Sequence, residues 1–157
     1  MTMRETSDAL HRFGLARDRL SSALCRSSGL TATELQALEQ LEADGPLTQR
    51  MLGDRLALTS GGTTILVDRL ERVGYVRRRP HPGDRRAVLV ELTPDAAESA
   101  PPALARYHDA VTAAARRLTA AEREAATLFL RETAAAAAEC ADALRGPAGG
   151  RLSRLAR

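Results

Sequence analysis

The chain has 157 residues, is 44% hydrophobic and carries a formal net charge of +3, which excludes a disordered composition and fits one domain or two small lobes around a core. No apolar run approaches the roughly 18 residues of a transmembrane helix, and the first residues, MTMRETSDALHRF, lack the apolar stretch of a signal peptide. We therefore expect a soluble cytoplasmic protein without a membrane partner.

The first part of the chain predicts two helices with clear ends. Apolar residues recur at helical spacing over residues 5–26, and SSGL ends that helix. The stretch TATE, residues 31–34, is a capping box, in which the threonine hydroxyl and the glutamate carboxylate accept hydrogen bonds from amides at a helix start. ADGP ends this second helix. A single strand residue, Leu47, is predicted after it.

Two shorter helices are predicted next. Thr48 is expected to cap QRMLGDRLA, whose inward residues are Met51, Leu52 and Leu56. After the tight connection LTS, another helix is predicted from about Ser60 to Val73. A helical wheel places one set of its residues inward, namely Gly62, Thr63, Leu66, Leu70 and Val73. It places a second set outward, namely Gly61, Thr64, Ile65, Asp68 and Arg72.

The start of this helix, TSGGTT, contains two glycines, Gly61 and Gly62. Each costs a helix about 1 kcal/mol relative to alanine. The glycines make sense if something must approach the backbone closely, and they are equally typical of a loose helix start. These residues alone leave both interpretations open.

A β-hairpin with a basic tip follows. YVRRR (75–79) and AVLVEL (87–92) are strand candidates, and Pro80, Pro82 and Gly83 are expected to force a loop between them. Residues 69–86 hold seven of the 23 arginines and only two acidic residues, whereas residues 1–68 hold seven arginines and nine acidic residues. Positive charge focused on a mildly acidic body attracts a polyanion in one orientation. Taken alone, the same segment is better explained as a solvated basic loop.

The remaining chain predicts long helices. Thr93 caps a helix that reaches about Leu118 and is kinked at the proline pair 101–102. A second capping box, TAAE (119–122), starts a last helix that ends near Leu144. The fold class is therefore mainly α with a small β-wing (α+β). We expect a winged helix-turn-helix lobe over residues 31–92, a helical dimerisation region from residues 1–30 and 93–145, and a flexible basic tail over 146–157.

Two short helices, a tight turn and a hairpin form a winged helix-turn-helix. The second helix of this motif fits the major groove of B-DNA, where exposed residues near its N-terminus meet base edges. The hairpin lies beside the groove, where its arginines reach the DNA backbone or the minor groove. Double-stranded DNA is therefore the expected partner.

Other chemistries have little support. His11, His81 and His108 are isolated, so no metal site is expected. No nucleophile elbow, phosphate loop or dinucleotide fingerprint occurs, which predicts neither enzymatic activity nor a cofactor. Cys25 and Cys140 lie far apart without CxxC spacing, and both are predicted to be buried structural residues.

The central segment resembles the MarR (multiple antibiotic resistance regulator) family of bacterial transcription factors. The resemblance covers about residues 29–96 and rests on LTSGG, VDRLERVGYVRRR and DRRAVLVELT. Asp84 and Arg86 match the family's Asp-x-Arg wing pattern. This implies that Arg86 reaches toward the minor groove and that Asp84 braces the wing.

The resemblance also implies a homodimer that reads a palindromic site and responds to a small aromatic or anionic effector. We expect a repressor in which Ser60, Gly61 and Thr64 approach bases. Wing contacts are expected from Arg77, Arg85 and Arg86, and phosphate contacts from Thr48 and Arg72.

One position departs from the family pattern. Family members commonly place polar or basic residues at the positions of Ile65 and Leu66, and here both are aliphatic. Ile65 either touches a thymine methyl or packs under the wing. The competing hypothesis is a winged-helix protein-interaction module with weak or no sequence-specific DNA binding, in which Ile65 belongs to an apolar contact.

Overall fold

A computed structural model describes residues 2–98 and 102–145, apart from the side chains of residues 85, 86, 97, 98, 102, 103 and 145. The elements in chain order are α1 (Met3–Ser28), α2 (Ala32–Asp44), β1 (Leu47–Thr48), α3 (Gln49–Leu56), α4 (Ser60–Arg72), β2 (Val76–His81), β3 (Asp84–Leu92), α5 (Pro94–Glu98), α6 (Pro102–Arg116) and α7 (Ala120–Arg145). The strands form one antiparallel sheet in the order β1-β3-β2. The predicted fold class is confirmed.

The chain divides into two compact units after Ala105. The first unit contains α1 to α5 and the start of α6, and the second contains the rest of α6 and α7. The grouping of residues 1–30 with 93–145 around a lobe of residues 31–92 stays a prediction. The predicted flexible tail, residues 146–157, lies outside the described residues.

Local capping interactions set the helix starts. The Thr31 hydroxyl accepts a hydrogen bond from the Glu34 amide at 3.2 Å, and the Glu34 carboxylate accepts one from the Thr31 amide at 2.7 Å. Thr119 and Glu122 form the same reciprocal pair at 3.3 and 2.8 Å. Both predicted capping boxes are confirmed. Each satisfies amides that a helix start leaves without intrahelical partners.

The core of the first unit lies where α2, α3 and α4 pack against the sheet. Its most deeply buried large side chains are Leu52, Val67, Leu70, Val76 and Val90. Burial of each such aliphatic side chain contributes about 1.5–3 kcal/mol, so the sheet is part of the core and not an appended arm. Leu47 of β1 pairs with Val90 of β3, which confirms the predicted strand residue.

The hairpin is longer than the sequence predicted. β2 continues to His81 and β3 begins at Asp84, so Pro82 and Gly83 alone separate the strands. Pro80 lies inside β2 opposite Val88, and the predicted loop over 80–86 is wrong. Proline is tolerated there because β2 is an edge strand, in which a missing N–H group does not interrupt pairing on both sides.

Two residues that were predicted to point inward are exposed. Met51 is 45% exposed and Val73 is 55% exposed, whereas Val67, which the wheel did not place inward, is fully buried. Val73 caps the end of α4, beyond the last turn that reaches the core. On α3 the buried positions are Leu52 and Gly53, which turns Met51 toward solvent.

The helix predicted from Thr93 to about Leu118 is two helices in the described chain, α5 and α6, and the first proline of the predicted kink lies outside the described residues. The predicted cap of α5 is confirmed, because the Thr93 hydroxyl accepts a hydrogen bond from the Ala96 amide at 3.1 Å. Pro102 is the first residue of α6, where its missing N–H group costs no intrahelical bond.

The apolar stripe of α7 is exposed within the single chain. Leu128 is 57% exposed, and Leu144 is 70% exposed. Cys140 on the same helix is also exposed, so its predicted burial is wrong within one chain, while Cys25 is half-buried. Across residues 2–98 and 102–145, no helix combines the length and the apolar character needed to span a membrane.

Gly53 brings α3 close to α4. A Cβ atom at this position would lie 2.5 Å from the Thr63 hydroxyl oxygen, which is closer than real Cβ atoms approach. Thr63 is buried, and its hydroxyl donates to the Thr59 carbonyl at 2.9 Å. The angle between the two helices therefore depends on the absence of a side chain at residue 53.

Replacing Gly53 with alanine should lower the free energy of unfolding by about 1–3 kcal/mol, the usual cost of overpacking. Urea unfolding of the full chain measures this change. Gly61→Ala is the matched control, because a Cβ there meets nothing within 4 Å. That variant should be unchanged or stabilised by up to about 1 kcal/mol. Equal effects of the two substitutions would contradict the close approach at Gly53.

Candidate nucleic-acid interface

The outer face of α4 is exposed to solvent. Thr63, Leu66, Val67 and Leu70 are buried on the inner face, and the outer residues are Gly61, Thr64, Ile65, Asp68 and Arg72, all exposed. This confirms the outward set of the helical wheel. Complete burial of the inner face fixes the rotation of the helix, so the outer face has a defined composition that a partner can read.

The two glycines at the start of α4 have different surroundings. Thr59 caps the helix by accepting a hydrogen bond from the Gly62 amide at 3.2 Å, and a Cβ at Gly62 would lie 3.3 Å from that hydroxyl. Gly62 therefore accommodates the cap. A Cβ at Gly61 meets nothing within 4 Å, so the backbone there is open to a partner.

A polar cleft separates the starts of α3 and α4. Thr48 caps α3 by accepting from the Met51 amide at 3.2 Å. Beside it, Gln49 and Arg50 line the cleft together with Ser60 and Thr64. The structure thus brings Thr48, Ser60, Gly61 and Thr64 into one region.

Two cleft residues were missed by the sequence analysis. The Gln49 side-chain nitrogen is buried without a hydrogen-bond partner among the described residues. The Arg50 side chain is 92% exposed, and its Nε lies 3.9 Å from the nearest Asp54 oxygen. Arg50 falls outside the basic window of residues 69–86, and glutamine carries no charge, so a charge count finds neither. Their position beside the Thr48 cap was the available signal.

Two wing arginines share one carboxylate. Arg77 donates from Nε to the Glu91 Oε1 at 2.7 Å, and Arg79 donates to Oε2. These hydrogen bonds, the one from Arg79 first, hold the pKa of Glu91 below its ordinary value of 4.5. Arg77 nevertheless keeps 58% of its side chain exposed. The wing therefore presents less unpaired positive charge than the sequence suggests.

Arg78 connects the wing to α4. Its guanidinium donates to Asp68 at 2.6 Å and also to Glu71, and its backbone amide donates to Glu71 at 3.1 Å. Burial opposes the charged form, but the hydrogen bonds to Asp68 and Glu71 outweigh it and raise the pKa of Arg78. Asp68 belongs to the outer face of α4, so Arg78 holds the hairpin beside that face.

The other candidate residues are more dispersed. Arg72 is exposed in the last turn of α4, about 18 Å along the helix axis from Ser60. Asp84 begins β3 at the tip of the wing, opposite His81. The backbones of Arg85 and Arg86 continue β3, and their side chains lie outside the described residues.

His81 has a local role at the wing tip. Its Nδ1 accepts a hydrogen bond from the Gly83 amide at 3.1 Å, which closes the turn. Within the described ranges, no group of three or more histidine, cysteine or acidic side chains is arranged to hold a metal ion.

The segment that contains α3, α4 and most of the wing is similar to known proteins. Residues 28–87 match the model described as MarR family. The Bacillus subtilis (strain 168) protein named uncharacterized HTH-type transcriptional regulator YcgE is 43% identical over 68 residues, which are 43% of this chain and 44% of that protein. The multiple antibiotic resistance protein MarR of Salmonella typhimurium is 37% identical over 81 residues, which are 52% of this chain and 56% of that protein.

The likeness in structure extends further along the chain. The crystal structure of wild type MarR (apo form) from E. coli aligns with a TM-score of 0.53 at 25% identity, covering 85% of this chain and 96% of that one. The sequence matches span about half the length of the curated relatives. The Bacillus subtilis relative is named as a transcriptional regulator, in agreement with the expectation that the chain is not an enzyme. The resemblance to the MarR family is confirmed.

Replacing Arg78 with alanine should lower the free energy of unfolding by about 1–2 kcal/mol, because the substitution leaves Asp68 and Glu71 without the cation between them. The control is Arg50→Ala, because the Arg50 side chain is almost fully exposed. Urea unfolding of both variants in the same buffer measures the two changes in free energy. The Arg50 variant should remain within about 0.5 kcal/mol of the parent chain. An Arg78→Ala chain as stable as the Arg50 control would show that the wing is not held this way.

Proposed function

From the MarR-family match over residues 28–87, we propose that this chain is a DNA-binding transcriptional regulator, a ligand-responsive repressor that acts in the cytoplasm as a homodimer on a palindromic operator. The observation that carries the proposal is the setting of the outer face of α4. Ser60 and Thr64 join this face to the polar cleft, and Asp68 joins it to the wing through Arg78. A helix whose exposed face lies between the polar cleft and the wing suits the major groove.

Three groups of residues make different contacts with DNA in this proposal. Ser60, Gly61 and Thr64 approach base edges. Thr48 and Arg50 at the start of α3 bind phosphates, and so does Arg72 at the end of α4. The wing supplies Arg77, Arg85 and Arg86, with Asp84 as the brace. Phosphate contacts position the protein, and base contacts specify the sequence.

DNA binding should weaken steeply with salt, because each phosphate contact releases counterions. The full chain is first used to select duplexes from a random pool, and the selected duplex is then titrated in a mobility-shift assay between 50 and 200 mM salt. A protein with six or more phosphate contacts loses about 1,000-fold or more in affinity over this range. Absence of salt-sensitive binding would contradict the proposal and favour the protein-interaction module.

Arg86→Ala tests the wing in the same assay. Its expected effect is weaker binding and, if the lost contact is to phosphate, a salt slope that falls by about 0.9. Arg26→Ala, at the exposed end of α1, is the control and should bind like the parent chain. An unchanged affinity for Arg86→Ala would remove this residue from the interface.

The exposed stripe of α7 supports the homodimer. Leu128 and Leu144 are 57% and 70% exposed, and Phe129 is 38% exposed. An amphipathic helix with a bare apolar face gains stability by pairing with another apolar face. A second copy supplies such a face by symmetry.

Light scattering should give twice the chain mass of 16.8 kDa. Leu128→Glu should shift the protein toward monomer, because pairing would bury an unpaired charge. Val73→Glu, an exposed position on the DNA-binding lobe, should remain dimeric. A monomeric parent chain, or a Leu128→Glu variant that dimerises as strongly as the parent, would refute this arrangement.

An effector site is proposed in a cavity of the first unit with a volume of about 120 Å³. Leucines from α1, α2 and β3 line it together with Tyr75, Glu39 and Glu42. No arginine among the described side chains lines this cavity, and Arg17 pairs with Glu39 outside it. Of the two effector classes implied by the resemblance, the lining favours a neutral aromatic molecule the size of one ring over an anion.

Phenol should therefore raise the melting temperature of the chain more than benzoate does at equal concentration, since a ligand that binds only the folded state stabilises it. Ala96→Leu fills part of the cavity and should reduce the shift. Ser27→Ala, on the exposed end of α1 and outside the cavity lining, should leave the shift unchanged. A larger shift with benzoate would contradict the assigned ligand class.

A further inference from the structure

Ile65 is an exposed apolar side chain in the middle of the outer face of α4. It is 72% exposed, although burying an isoleucine normally contributes about 1.5–3 kcal/mol. This exposure excludes packing under the wing, which was one of its two possible roles. The wing instead contacts α4 one turn further along, through Arg78 and Asp68.

The polar neighbours of Ile65 are already engaged. The Thr64 hydroxyl donates to the Ser60 carbonyl at 3.0 Å, and the Asp68 carboxylate accepts from Arg78 at 2.6 Å. Ile65 therefore presents the main apolar contact surface between these two groups. As a β-branched residue in a helix it has one dominant rotamer, so little side-chain entropy is lost when a partner covers it.

Gly61 leaves open space on the helix surface one turn before Ile65. Helical side chains lean toward the N-terminus and cover the preceding turn. Four residues before Ile65, that turn carries Gly61, where an added Cβ would meet nothing within 4 Å. The helix surface one turn before Ile65 is therefore open, and a methyl group that contacts Ile65 meets no side chain at residue 61.

We propose that Ile65, beside the open helix surface at Gly61, recognises the C5-methyl group of a thymine in the major groove. Thymine alone among the four bases presents a methyl group there. The inference rests on the proposed DNA-binding function and adds a specificity-determining residue to it. Ile65 makes an apolar contact that distinguishes thymine from cytosine without a hydrogen bond.

The test uses the duplex selected by the full chain. Each thymine is replaced in turn by deoxyuridine, which removes the methyl group and keeps the base pairing and the O4 acceptor. Loss of one buried methyl contact in one half-site should weaken binding about fourfold at one position. Ile65→Ala should bind more weakly and show no further loss when that thymine is replaced. Val73→Ala, the control at another exposed aliphatic residue of the lobe, should respond like the parent chain.

Thermal unfolding accompanies the binding assays. Ile65→Ala should melt no lower than the parent chain, because the side chain is exposed and alanine favours helix. The proposal is overturned if no thymine is sensitive to deoxyuridine, or if the parent chain and Ile65→Ala lose equal affinity at every position, while DNA binding itself stands. Failure of the full chain to bind any selected duplex overturns the DNA-binding function and this inference together.

Discussion

The structure depends on α4 burying one face completely while its opposite face stays bare. Val67 and Leu70 are fully buried against α2, α3 and the sheet, and this burial leaves the helix only one rotation. Close approach of α3 at Gly53 sets the angle between the two helices. Glu34 adds a buried anchor, since its carboxylate both caps α2 and pairs with Arg69 of α4 at 2.8 Å. The composition of the outer face follows from these constraints.

The arginine-rich hairpin has a structural task in addition to its charge. Arg77 and Arg79 pair with Glu91 inside the wing, and Arg78 joins the wing to α4. Pairs of this kind contribute modestly to stability where they are exposed, yet they restrict where the hairpin lies. The arginines over residues 69–86 therefore serve partly to hold the wing in place. Among the described side chains, Arg50 and Arg72 are exposed cations that can attract a polyanion.

The sequence predicted most of the fold because its local signals are strong. The capping boxes at Thr31 and Thr119 fixed helix starts, and the period of the apolar residues identified the buried face of α4. The hairpin length could not be predicted, because Pro80 is compatible with a strand only at a sheet edge, and edge position is a property of the whole sheet. Met51 was misplaced for a similar reason, since the close contact at Gly53 decides which way the short α3 turns.

Part of the candidate site was also predictable. Gly61 and Thr64 follow from the outward side of the helical wheel, and Ser60 follows from the predicted start of the helix. Gln49 and Arg50 join the site only through the packing of α3 beside α4. The pairing of Arg78 with Asp68 and Glu71 brings together residues whose separation in sequence carries no signal. Such contacts between elements are set by tertiary packing, which a charge count along the chain does not report.

We propose that the outer face of α4 and the tip of the wing contact DNA together. Hydrogen–deuterium exchange of the full chain with and without a saturating selected duplex tests this most directly. We expect slower exchange of backbone amides over residues 60–68 and 81–84 in the presence of DNA, with little change in the middle of α7. Slowing confined to α7, or protection of α4 without the wing, would contradict it.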